Sequence, residues 1–217
     1  MRPVVRLRNL RLAVFRRAER FERQIATASL QPVDPQVDML VSDACIGLLN
    51  TWSNFARAYY LSCFLLPRRE GGGRITVAGA FTAFSFNDAI DHSIAILRPY
   101  KKPRGGGVWD SRDEPTWHEA STLLKLSSSI GCSNSKDISD GLAGAPQVLR
   151  DLPTFRNFYA HRNRNTWESA MRLRHGYGII ARDRPTSVLL SCAYGRPQPL
   201  LLDWVSELKD AVEYLCL

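Results

Sequence analysis

Arg156, Asn157 and His161 stand close together in the stretch LPTFRNFYAHRNRN. An arginine holds a phosphate through paired hydrogen bonds, a carboxamide donates and accepts, and an imidazole carries a proton near neutral pH. This set is either an ordinary basic helix surface or a site suited to metal-free cleavage of RNA. The 2′-hydroxyl attacks the adjacent phosphate, the histidine takes or gives a proton, and the arginine stabilises charge building on the phosphoryl oxygens. DNA lacks the 2′-hydroxyl and would be a poor substrate by this route. The sequence shows no carboxylate cluster for two divalent metals, and its four histidines and five cysteines lack zinc-ligand spacing. No metal and no other cofactor is expected.

These side chains need a helix to place them. Asn157 and His161 are four residues apart and share a helix face. Arg156 and His161 are five apart, about 140° around an ideal helix. To act on one phosphate, Arg156 must curl around, or the helix must face a groove shared with a second subunit. Pro153 disfavours helical geometry at Leu152 and fits the first turn of a new helix. The expected helix starts near Pro153 or Thr154, runs to about His175 and stops at Gly176. Arg156 would then lie in a first turn, where free amides and the dipole attract anions.

The rest of the chain is periodic with a helical repeat. Leu7, Leu10, Val14, Ala18, Phe21, Ile25 and Ala28 mark a helix over about 6–29, with eight arginines in the first 23 residues. These arginines form a solvated face or touch an RNA backbone. Asp34 and Pro35 read as cap and first residue of a long apolar helix to about Leu66. The glycines at 71–73 lack the following Lys-Ser/Thr of a phosphate loop and read as a turn. A third helix is expected over 85–97, capped by Ser85 or Asn87, and a fourth from Pro115 to Ile130, stopped by Gly131. Residues 98–115 read as a long loop, mobile or touching substrate. Residues 131–141 read as a turn and 145–151 as a short helix. Residues 187–194 fit either a strand or a helix. A last amphipathic helix is expected over about 200–216. The predicted fold class is all-α: a bundle of about four to five core helices, with short helices and long loops, in one domain over 1–217.

Composition sets outer limits. The chain is 45% hydrophobic and 23% charged, ordinary for a globular protein. It carries 29 Lys+Arg against 21 Asp+Glu, a net charge of +8. That balance favours a polyanionic partner, nucleic acid before an anionic membrane surface. The five scattered cysteines read as buried free thiols of a reducing cytosol. There is no secretory signal and no run of about 20 apolar residues to span a bilayer. A cytoplasmic protein is expected.

The stretch RNFYAH resembles the R-x4–6-H motif of the HEPN superfamily, with Asn157 matching a favoured residue after the arginine. The Trp-containing helix DACIGLLNTWSNFARAYYLS and the segment EPTWHEASTLLKLSSSIGCSN upstream are similar to bacterial HEPN proteins of defence and toxin–antitoxin type. The resemblance implies a helical bundle that dimerises, so that two motifs face one cleft. It implies a metal-independent endoribonuclease with Arg156 and His161 catalytic and Asn157 in support. Phe158 and Tyr159 would be packing or groove residues, and Tyr159 is grouped with Arg150, Arg162 and Arg164 as residues that would contact RNA. An antitoxin or regulatory protein is a further expected partner. Some HEPN toxins carry a modified tyrosine two residues after the histidine. Here that position is Asn163, a departure from the residue on which such control acts. The alternative reading is a catalytically silent HEPN-like module that binds RNA, a nucleotide or a partner protein.

Overall fold

The apolar stripes become helices at most of the expected places. The computed structural model describes residues 6–82, 84–101, 113–142, 146–180 and 182–217. Among these it is all-helical, with isolated backbone bridges and no strand. The helices are α1 (Leu7–Ser29), α2 (Pro35–Cys63), α3 (Phe86–Leu97), α4 (Ala120–Ser129), α5 (Ser135–Leu142), α6 (Gln147–His161), α7 (Arg164–Leu173), α8 (Pro185–Leu189) and α9 (Leu200–Cys216). Among the described residues, no helix is long and apolar enough to cross a membrane.

Helix starts follow the side chains that can satisfy free amides. The Val37 amide donates to Asp34 Oδ1 at 2.8 Å, as the Asp-Pro pair predicts. Ser85 and Asp88 close a reciprocal capping box at the head of α3. Gly131, at φ 59°, ends the α4 segment in a backbone region that favours glycine. Two expectations are corrected, and the open choice at 187–194 is decided. The fourth helix starts at Ala120, five residues after Pro115. Residues 135–142 are helical, although 131–141 read as a turn. Residues 185–189 are helical, and Cys192 then pairs with Pro199 in an isolated bridge. The expected loop over 98–115 falls largely outside the described residues.

The contacts divide the chain into two compact units. Unit 1 comprises residues 1–13, 53–144 and 212–217; unit 2 comprises 14–52 and 145–211. In unit 1, Tyr59, Tyr60, Phe64, Ile94, Leu123 and Leu126 are buried. Their polar ends are satisfied: Asn134 Nδ2 donates to the Tyr59 hydroxyl at 2.6 Å, and the Tyr60 hydroxyl donates to the Ala89 carbonyl at 3.2 Å. Arg57 grips Glu114 through two bonds of 2.7 and 2.9 Å, which holds that carboxyl below its usual range. In unit 2, Phe21, Val41, Leu48, Phe155, Trp204 and Val205 are buried together with much of α8. Four of the five cysteines are buried free thiols, but Cys192 is exposed, contrary to expectation.

Helix α6 is the largest correction. It begins at Gln147 and passes through Pro153, its seventh residue, without a break. The Glu207 carboxylate on α9 accepts the Val148 amide at 3.0 Å, doing the work of a cap where the Pro146 ring has no acceptor to offer. An interior proline costs about 3 kcal/mol. Each large apolar side chain that α6 buries returns about 1.5–3 kcal/mol. Val148, Leu149, Leu152, Phe155 and Tyr159 are all buried, so the helix holds.

Burial holds the Glu207 carboxyl above its usual range, against the opposing pull of the Val148 amide. A raised acid binds its proton more tightly in the folded chain. Stability is therefore lost as pH rises through the folded value, and the loss is absent below the unfolded value of about 4.3. Glu207→Gln keeps an acceptor for Val148 and removes the charge. Its urea midpoint is expected to exceed that of the unaltered chain at about pH 7 and to match it at about pH 3.5. An equal gain at both pH values would contradict this origin.

Candidate active site

The motif occupies the carboxyl end of α6, not its amino end. His161 is the last helical residue. Arg162 follows in the left-handed region at φ 44° and ψ 39°, and its amide closes the helix on the Phe158 carbonyl at 2.7 Å. Asn163 then caps α7, accepting from the Thr166 amide at 3.0 Å within a capping box. The expected helix from Pro153 to His175 is thus two helices with a sharp turn at Arg162 and Asn163. The anion-attracting amides expected at Arg156 lie instead at the start of α7, just beyond His161.

Arg156 is half-buried and Asn157 and His161 are exposed. Arg156 Nη1 donates to Asn157 Oδ1 at 3.3 Å. That bond draws the guanidinium toward the residue that shares a helix face with His161. On its inner side, Arg156 lies near the buried Cys45 of α2. Burial pushes that thiol up, and the nearby positive charge opposes the shift.

The turn after His161 is clamped by residues distant in sequence. Arg162 Nη1 meets Asp38 Oδ2 at 2.6 Å, and its guanidinium stands 5.7 Å from the centroid of the Tyr159 ring. The other oxygen of Asp38 accepts from the Thr186 hydroxyl, and Thr186 meets the Tyr159 hydroxyl at 2.9 Å. The four side chains close a ring. It offsets the cost, about 1–2 kcal/mol, of holding a non-glycine residue in the left-handed region. Sequence reasoning missed Asp38 and Thr186, which carry no local signal. Asp38 reads there only as an acid in the first turn of α2.

Tyr159 needs correcting. It is 5% exposed and its hydroxyl is bound to Thr186, so it is a packing residue and cannot meet RNA. Burial pushes its hydroxyl well above the usual range. Arg150 is exposed but lies eleven residues before His161, roughly 16 Å along the helix, and pairs with the buried Asp151 at 2.9 Å. Arg164 is exposed and pairs with Glu168 at 2.8 Å. Arg162 and Arg164 therefore flank His161, and Arg150 does not.

No family model, curated protein or solved structure matches the chain. The functional reading therefore rests on these side chains and on the resemblance of the motif.

Asp38→Ala should cost about 1–3 kcal/mol, the usual penalty for removing one partner of charged hydrogen bonds. In a cycle with Arg162→Ala, the two changes should couple by about 0.5–3 kcal/mol in urea denaturation. Simple additivity would show that the clamp holds nothing.

Proposed function

We propose that this chain is a metal-independent endoribonuclease of HEPN type that acts on RNA by attack of the 2′-hydroxyl on the adjacent phosphate. The observation that carries the reading is the Arg156–Asn157 hydrogen bond. It supports a guanidinium turned from its own stripe toward the face of His161, as one-phosphate chemistry requires. The bond from phosphorus to the 5′-oxygen breaks as the 2′-oxygen attacks; His161 transfers the proton that the 2′-hydroxyl loses or the departing 5′-oxygen gains, Arg156 stabilises the phosphoryl oxygens and Asn157 orients Arg156. The amino end of α7 adds amides next to His161. Arg164 is free to turn to the RNA, since an exposed ion pair holds it by only about 0.2–1 kcal/mol.

The one histidine of each motif must both take and give a proton unless two copies share the cleft. The proposal therefore includes a homodimer with two motifs facing one groove. A role as a toxin or antiphage effector, held in check by an antitoxin or regulator, fits such an activity.

The test offers an RNA oligonucleotide and its all-2′-deoxy counterpart to the pure protein in EDTA. The reading predicts cleavage of the first and none of the second. Cleavage of both would mean attack by water, and cleavage of neither would leave a binding module; each contradicts the reading.

A further inference from the structure

Arginines also gather in unit 1, away from the motif in sequence and unclaimed by the proposed chemistry. Arg6, Arg8, Arg11, Arg68 and Arg69 line one cavity of about 450 Å³, with Glu70 as the carboxylate in its wall. The backbone builds this arrangement. Arg6 pairs in parallel with Arg68, whose carbonyl accepts the Leu7 amide at 3.1 Å, and Arg68 pairs antiparallel with Arg74. Gly72 and Gly73, at φ 91° and 72°, allow the reversal between the two arginines. Arg8 and Arg11 follow on one face of α1.

Two of the five are committed. Arg11 forms a two-point pair with Glu70 at 2.6 and 3.0 Å and reaches Glu213 at 3.1 Å. Arg69 Nη1 pairs with Asp137 at 2.8 Å, and its buried Nε has no acceptor among the described residues. Arg6, Arg8 and Arg68 have no carboxylate partner among the described residues, and positions 1–5 contain no acid. Three of the five guanidinium groups thus lack a carboxylate partner among the described residues. The amino end of α1, without an acid in its first turn, adds partial positive charge. Like charges around a cavity repel one another unless an anion sits among them.

We propose that this cavity binds a small ligand carrying two or more phosphate groups. Its volume is within the range of small-molecule sites, roughly 300–1,000 Å³. A nucleic-acid groove instead tracks about 4–16 nucleotides of backbone. Arginine forks match phosphate oxygens pairwise, and arginines arriving from two separate chain segments, at Arg6–Arg8 and Arg68, can grip adjacent phosphates. The proposal stands whether or not the chain cleaves RNA.

The test is calorimetric titration of the whole chain with tripolyphosphate and with orthophosphate, beside Arg8→Ala and Arg68→Ala. Both positions are exposed, so the fold is expected to survive, which circular dichroism checks. Tripolyphosphate should bind one to one. Orthophosphate, Arg8→Ala and Arg68→Ala should each weaken binding about tenfold or more, the value of one charged hydrogen bond. Equal affinity for both anions, or binding that survives both substitutions, overturns the proposal. So does a single-stranded RNA of about twelve nucleotides that binds through these arginines when tripolyphosphate does not. Loss of tripolyphosphate binding in His161→Ala would place the ligand elsewhere and overturn it too.

Discussion

His161→Ala is expected to cleave RNA about 10²–10⁴-fold more slowly than the unaltered chain, the usual share of a general acid–base group. The effect should be catalytic and not structural. His161 is exposed at the end of α6, and the turn beyond it is held by Asp38, Thr186, Tyr159 and Arg162. The urea midpoint of the variant should match that of the unaltered chain. Single-turnover cleavage in EDTA, with protein in excess over a labelled RNA, separates the chemical step from product release. Arg156→Ala should lose rate as well, through the charge on the phosphoryl oxygens. An unchanged rate in His161→Ala would remove the histidine from the chemistry.

Phe155→Ala is expected to destabilise the chain by about 3–5 kcal/mol, the range for truncating a buried aromatic ring. Phe155 is fully buried and meets the edge of Trp204 with ring centroids 5.6 Å apart. Tyr177 meets the same indole at 5.9 Å, and the Tyr177 hydroxyl donates to the buried Asp151 at 2.6 Å. Removing the ring opens a cavity beside a residue pair that is itself tightly packed, with little room to collapse. Phe155 also immediately precedes Arg156, so its anchor sets where the guanidinium starts. Urea denaturation gives the measurement. A loss below about 1 kcal/mol would show that this part of α6 repacks freely, and would weaken the case for a fixed site.

The long helices were legible because each carries its own evidence. The stripe from Leu7 to Ala28 and the Asp34-Pro35 start of α2 need no distant partner. Helix α5 was not legible: SKDISDGL offers only two buried apolar residues, Ile138 and Leu142. Its Gly141 looks like a breaker. In the fold it makes room for Tyr214, whose ring would stand 2.5 Å from an added Cβ. Helix α6 escapes local rules for a similar reason. Local rules put a boundary at Pro153, but the cap that starts the helix is Glu207, 59 residues away. Buried contacts then outweigh the proline.

The candidate site divides in the same way. Arg156, Asn157 and His161 could be named from type and spacing, and the geometry adds the bond that links the first two. Their place at the end of α6 could not be read, because Arg162 adopts the left-handed conformation without being a glycine. Its support from Asp38 spans 124 residues, and no short window contains it. Tyr159 illustrates the opposite error. Beside a basic motif Tyr159 is grouped with the residues that would contact RNA, whereas its helix face turns it into the core.

The central claim is that Arg156 and His161 direct the 2′-hydroxyl onto the adjacent phosphate. Its most direct test is the chemistry of the cut ends. Pure protein is incubated with RNA in EDTA, beside the Arg156→Ala/His161→Ala double variant, and the 3′ ends are identified by mass spectrometry. The account predicts 2′,3′-cyclic phosphate ends from the unaltered chain and none above background from the variant. Fragments ending in a plain 3′-hydroxyl, or cyclic ends produced equally by the variant, would contradict it.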